Sequence, residues 1–170
     1  VEHLLSRIRT DRLIVPAVQD ADQIAEAWTF DTDIIVEYVS SDLLYTFGKA
    51  EMTIFAPISR ESDNESGICI LFQRKDCGIL ITGDRGVEGE MALLQSYPIP
   101  KVDILVAGHH GSAGSTTQEL LNTVSPQYAF ISVGEDNRYG HPSRAVLDRL
   151  EQYGCVIRRT DLEGTLVFRR

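Results

Sequence analysis

At 170 residues the chain is long enough to bury one real hydrophobic core, and its 43% hydrophobic and 24% charged residues exclude a disordered or fibrous chain. No apolar run approaches the roughly 20 residues of a membrane-spanning helix. The net charge of −9 counts against a generic nucleic-acid binder with a basic surface, although residues 137–170 carry 7 arginines against 4 carboxylates and are locally basic.

Val1–Ile8 reads as a short helix, followed by the strand-like Arg12–Val15 closed by Pro16. Asp20–Trp28 has helical character. Strand-like segments follow at Ile34–Tyr38, Leu43–Phe47 and Met52–Phe55, punctuated by Gly48 and Pro57. The polar stretch Ile58–Ser66 is loop-like. Gly67–Phe72 and Gly78–Ile81 are two apolar runs joined by a short turn, and so form a hairpin. From there the pattern alternates. Strand Gly78–Ile81 leads to helix Val87–Gln95, strand Val102–Val106 to helix Thr116–Val124, and strand Tyr128–Val133 to helix Ser143–Tyr153. Strand Val156–Arg159, a turn at Asp161–Gly164 and strand Thr165–Phe168 end the chain. Meandering strands first and βα units later predict an α/β fold, a sheet with helices packed on it.

No repeat, low-complexity tract or linker interrupts the chain, so residues 1–170 are read as one domain. It opens at Val1 without methionine, and is expected to be a piece of a longer protein. The three cysteines, Cys69, Cys77 and Cys155, lack metal-type spacing and are expected to be buried or incidental thiols.

In α/β folds, ligands collect beyond the carboxyl ends of the strands. Three successive βα loops here are rich in polar groups: Thr82–Gly86 with Asp84, Gly108–Ser112 with His109 and His110, and Gly134–Pro142 with Asn137, Tyr139 and His141. Three of the four histidines of the chain fall in them. Singly, each has a plainer reading. Asp84 could cap the following helix. His109 and His110 could be loop histidines bonded to backbone, His141 a turn residue, and Tyr139 a packing residue. Together, a carboxylate and several imidazoles on adjacent strand ends form a ligand set suited to Zn²⁺ or Mn²⁺. Two such ions can activate a water and clamp a phosphoryl oxygen.

From Asn64 onward the motifs Asn64–Leu71, Leu80–Asp84, Asp103–Ser112, Ile131–Gly134, Asn137–Pro142 and Arg159–Gly164 resemble the metallo-β-lactamase-like domain of ComEC-type competence proteins. That resemblance implies an αββα sandwich, incomplete at its N-terminus, with a site at one edge of its sheets. It implies two divalent ions, Zn or Mn, in the intact domain, with Asp84 as the bridging aspartate. His109 matches the later histidine ligand, a role His110 could share or take. His141 would join Asp84 and His109 in catalysis, with Asn64, Ser112, Asn137 and Tyr139 facing substrate.

The first metal motif of that family, His-x-His-x-Asp-His, is absent. The remaining histidine, His3, sits in the helix-like Glu2–Leu5 without such neighbours. The chain is therefore expected to start after the motif, or to have lost it, and to be weak in metal binding and hydrolysis by itself. The function implied is a metal-dependent phosphodiesterase or nuclease domain of a membrane-embedded DNA-uptake protein, outside the membrane, acting on single-stranded DNA. A non-catalytic nucleic-acid or partner-binding module, and a small-molecule phosphoesterase or lactonase, stay open beside it.

Overall fold

The computed structural model describes residues 7–23, 26, 33–59 and 64–169. Most of the expected Val1–Ile8 helix lies outside these residues, while Arg7 and Ile8 form a turn and a bend. Within Asp20–Trp28, residues 21–23 and 26 are helical and the others lie outside.

Strands β1 (Arg12–Pro16) and β2 (Ile35–Val39) pair in parallel as a two-stranded sheet. The main sheet has seven strands in sequence order: β3 (Leu43–Phe47), β4 (Ala50–Phe55), β5 (Cys69–Arg74), β6 (Cys77–Ile81), β7 (Ile104–Val106), β8 (Tyr128–Ile131) and β9 (Val156–Arg159). From β3 to β6 the pairing is antiparallel, through two-residue turns at Gly48-Lys49 and Lys75-Asp76. Gly48 has φ +62, a backbone sign that tight hairpins favour and glycine adopts freely. From β6 to β9 the pairing is parallel, which requires crossovers. Three are helical: α1 (Val87–Ser96), α2 (Gln118–Val124) and α3 (Arg144–Tyr153). Thr117 and Ser143 cap α2 and α3 with their hydroxyls, and Gly154 ends α3 at φ +91.

Register decides which side chains meet. Leu71, Leu80, Leu105, Ala129 and Ile157 pair in one row across five strands. On this face Leu71, Leu80, Leu105 and Ala129 are buried in one cluster with Leu93 of α1, Leu120, Leu121 and Val124 of α2, and Val146 and Leu150 of α3. The alternate row, Ile54, Ile70, Ile81, Val106 and Phe130, faces the other way, as the two-residue period of a strand demands. Tyr45, on that second face of β3, reaches Glu37 of β2 with its hydroxyl at 3.4 Å. The helices thus cover one face of the main sheet, and the β1–β2 pair touches the other face through this contact. This is the α/β class that the motifs implied.

The C-terminus differs from expectation. The turn at 161–164 is a single helical turn, α4 (Thr160–Glu163), and no strand forms over 165–168. The Glu163 carboxylate accepts the Arg159 amide at 3.0 Å and Arg159 clasps Asp161, which winds this segment. Phe168 then packs its ring 5.4 Å from that of Tyr128 and does not extend the sheet. The Thr-Leu-Val-Phe alternation suits a strand, but the segment packs against Tyr128 without strand pairing. Among the described residues, no helix is long and apolar enough to cross a membrane.

Leu105 is fully buried at the centre of the apolar row, whereas Leu44 on edge strand β3 is 64% exposed. Leu105→Ala is expected to cost about 2–5 kcal/mol in urea unfolding, against under about 0.5 kcal/mol for Leu44→Ala. Equal losses would contradict this placement of the core.

Candidate metal and substrate site

The four parallel strands β6 to β9 finish at the same edge of the sheet, so the loops after them are neighbours. Their backbones are tied together. The His109 amide donates to the Gly83 carbonyl at 2.9 Å, and the Ser143 amide to the Gly111 carbonyl at 2.8 Å. Gly111 has φ +82, and a Cβ there would lie 2.6 Å from Cβ of Pro142, so only glycine lets these two loops touch. Between these ties the chain makes a tight, left-handed turn over Gly108–Gly111. His109 and His110 both have positive φ, 47° and 55°, a left-handed conformation that costs energy outside glycine.

This strained turn turns the two imidazoles to different neighbours. His110 places Nε2 3.7 Å from Oδ1 of Asp84, both side chains about half exposed. Its Nδ1 sits 2.6 Å from the Ser132 carbonyl, an acceptor, so Nδ1 carries the hydrogen in the neutral ring. The Nε2 lone pair therefore faces the Asp84 carboxylate, acceptor against acceptor. A proton on Nε2, a cation or a bridging water can satisfy both acceptors. His109 instead sets its ring edge-on to His141, centroids 5.7 Å apart. His141 in turn lies nearly parallel to Tyr139, at 6.0 Å and 19°. Burial pushes the His141 imidazole below its ordinary pKa, and the nearby His109 and His110 push it in the same direction.

The other candidates are placed as follows. Helix α1 takes Gly86 as its N-cap, and the Glu65 carboxylate accepts the Gly86 and Gly89 amides at 2.9 and 2.6 Å. Asp84 is thus not that helix's cap. Asn137 lines a cavity beside His110, but its carboxamide binds the Gly134 carbonyl and the His141 carbonyl and amide, which closes its own loop. Tyr139 stands exposed at the mouth of that cavity. Ser112, half-buried, follows the double-histidine turn and lends its carbonyl to Ser115. Asn64 is exposed at the start of the short turn Asn64–Ser66, away from the cavity, on the segment that Glu65 fastens to α1.

No family model matches the chain. Individual proteins do. It is 30% identical over 173 residues to ComE operon protein 3 of Bacillus subtilis (strain 168), covering 99% of this chain and 22% of that protein. The chain belongs to the ComEC-type competence proteins. Competence protein ComA of Neisseria gonorrhoeae is 39% identical over 115 residues, 66% of this chain and 17% of its own length. The chain thus spans about a fifth of the length of the curated relatives it matches. Among solved structures, CmlA, a diiron β-hydroxylase from Streptomyces venezuelae, superimposes with a TM-score of 0.54 at 17% identity, over 87% of this chain and 38% of that one. At that identity the likeness concerns fold alone.

The ComEC-type loops rest on buried charges that do not stand out in the sequence. Glu90 of α1 is fully buried and accepts the amides of Thr116 and Thr117 at 2.5 and 2.7 Å. Arg149 of α3 donates to the carbonyls of Ser115 and Thr116, both at 2.8 Å. Arg85, fully buried, donates to the carbonyls of Gly67 and Ala56. Glu88 and Glu90 look alike in the sequence, and only packing tells the solvated one from the anchored one. Cys69 is likewise buried, its thiol pushed up to about 12, and none of the three cysteines is in a disulfide.

The donor types fit a divalent ion, but their number does not complete a site. Zinc takes three or four protein ligands, and among the described residues no three His, Cys, Asp or Glu side chains are placed to hold a metal. Asp84 and His110 are the two side chains of such types that the loops bring together.

Two measurements check this geometry. The His141 ring should titrate below its ordinary value of about 6.5 by NMR, because burial and two neighbouring imidazoles both disfavour the imidazolium. His109→Ala should move that midpoint part of the way back up. Glu90→Ala should lower stability by about 2–4 kcal/mol in urea unfolding, since it leaves two buried amides without an acceptor.

Proposed function

We propose that this chain is part of a metal-dependent phosphodiesterase or nuclease domain of a competence protein, acting on DNA during uptake. The observation that carries the reading is the Asp84–His110 pair, acceptor facing acceptor at 3.7 Å, at the carboxyl ends of adjacent parallel strands. Competence proteins as relatives supply the biological setting. In that setting the substrate is single-stranded DNA, the rest of the protein is membrane-embedded, and this domain lies on the extracytoplasmic side.

Asp84 and His110 would hold divalent metal, Zn or Mn, together with ligands from outside the described residues. His109, whose role the motif match left shared with its neighbour, sits beside them against His141. When bound, a pair of such ions supplies an activated water and neutralises charge on a phosphoryl group. What the chain itself contributes is position and proton handling. The Ser132 carbonyl fixes the His110 tautomer, and His141, whose imidazolium burial and the nearby imidazoles disfavour, can accept or return a proton at the cavity wall.

A second reading, a non-catalytic nucleic-acid or partner-binding module on a hydrolase scaffold, is favoured by one observation. Residues 137–170, which contain Tyr139 and His141, carry 7 arginines against 4 carboxylates.

The test uses the parent protein with the residues preceding Val1 restored, supplied with Mn²⁺ or Zn²⁺ and single-stranded DNA. Cleavage is expected there and not from this chain alone. Asp84→Ala and His110→Ala should each lower it at least about 100-fold, beyond the loss seen for a ligand's supporting partners. Cleavage that survives both substitutions removes the pair from the mechanism. DNA binding without cleavage in the parent establishes the second reading. A parallel panel of small phosphoesters and lactones separates nucleic acid from small substrates.

A further inference from the structure

Beside the Asp84–His110 pair lies a cavity of about 480 Å³, with His110 in its wall. Its size is within the range of about 300–1,000 Å³ usual for small-ligand pockets, enough for one nucleotide unit. Ser132, Gly134 and Thr160 line it together with His141 and Tyr139.

Tyr139 is the unusual member. It is 68% exposed, although an aromatic ring of this size gains much by burial. Its ring is nearly parallel to that of His141 and is held in place from the other partner it has, Arg138. The Arg138 guanidinium donates to the phenol oxygen at 2.9 Å and lies 5.0 Å from the ring centre. Among the described residues Arg138 forms no ion pair with a carboxylate, whereas Arg158 and Arg159 are paired with Glu163 and Asp161. An oriented, exposed ring with an uncommitted cation beside it is a platform for a flat, anionic ligand.

We propose that Tyr139 is a stacking platform for an unpaired nucleic-acid base, with Arg138 beside it for the adjoining phosphate. This deepens the reading above by naming the group that the cavity recognises. A base inside a duplex has both faces covered by its neighbours, so only a single strand can present one to Tyr139. Every base has a π face, so the contact is tolerant of sequence. Arg138 contributes charge and Tyr139 contributes recognition of the base, and the two effects separate experimentally.

The experiment measures binding to this chain without metal, so its outcome does not depend on hydrolysis. Fluorescence anisotropy compares a short oligothymidylate with an abasic oligomer of the same length and charge. Tyr139→Ala should weaken oligothymidylate binding about 5- to 150-fold, the span of base–aromatic stacking losses, and leave the abasic oligomer unchanged. Tyr139→Trp should retain oligothymidylate affinity. Arg138→Ala should weaken both oligomers alike, more at low salt than at high salt. Equal affinity of the unsubstituted chain for the two oligomers, including none for either, overturns the proposal. So does an equal loss on both in Tyr139→Ala. Failure of cleavage in the parent protein, with this pattern intact, would sink the nuclease reading and leave the stacking platform standing.

Discussion

The buried carboxylate of Glu90 is the contact on which the site's geometry depends. Burial pushes its pKa up, and the amides of Thr116 and Thr117, with Arg149 nearby, push it back down. The charge is tolerated in the core only because those partners are there. In return, the carboxylate holds Thr116 at φ +53, a left-handed conformation uncommon for a β-branched residue. Arg149 grips the same segment from α3 by its carbonyls. The segment that leaves the double-histidine turn is thus bound from two helices at once, and the strain at His109 and His110 is carried by contacts well below the surface.

Above that anchor, the loops are arranged to leave polar groups underused at their tips. Backbone amides and carbonyls are spent holding loop to loop, through Gly83, Gly111 and Asn137. The side chains of Asp84, His110 and Tyr139 are then left facing solvent or the cavity. This division of labour suits a binding site. The acceptor pair attracts a cation, and the guanidinium of Arg138, which has no carboxylate partner among the described residues, attracts an anion. Both lie at one edge of a chain that is acidic overall, so local placement, and not net charge, governs what this edge can hold.

The helical crossovers and strands were readable because their signals are local. Apolar runs of four to six residues with Gly or Pro at their ends specify strands, and the helices α2 and α3 start within two residues of where their sequence pattern begins. The C-terminal Thr-Leu-Val-Phe segment misled for the same reason. Its alternation is local, whereas the tertiary path after α4 takes the segment onto Tyr128 without strand pairing. Glu65, Arg85, Glu90 and Arg149 were unreadable, since a buried charge and a solvated one have the same letter. The cavity wall also contains Ser132 and Thr160, residues too common to single out in advance.

The sequence by itself determined the α/β class, the order of its βα units, and the three loops where chemistry collects, because periodicity and turn residues act over a few positions. Its motifs also pointed to the competence family. Tertiary structure alone decided which imidazole meets Asp84. Adjacent histidines are equivalent in a string of letters, and it is the left-handed turn over Gly108–Gly111 that sends His110 to the carboxylate and His109 to His141. The same holds for Tyr139. Whether an aromatic ring packs inward or stands open at a cavity depends on the path of the surrounding loops, and those paths are fixed by contacts between residues far apart in the chain.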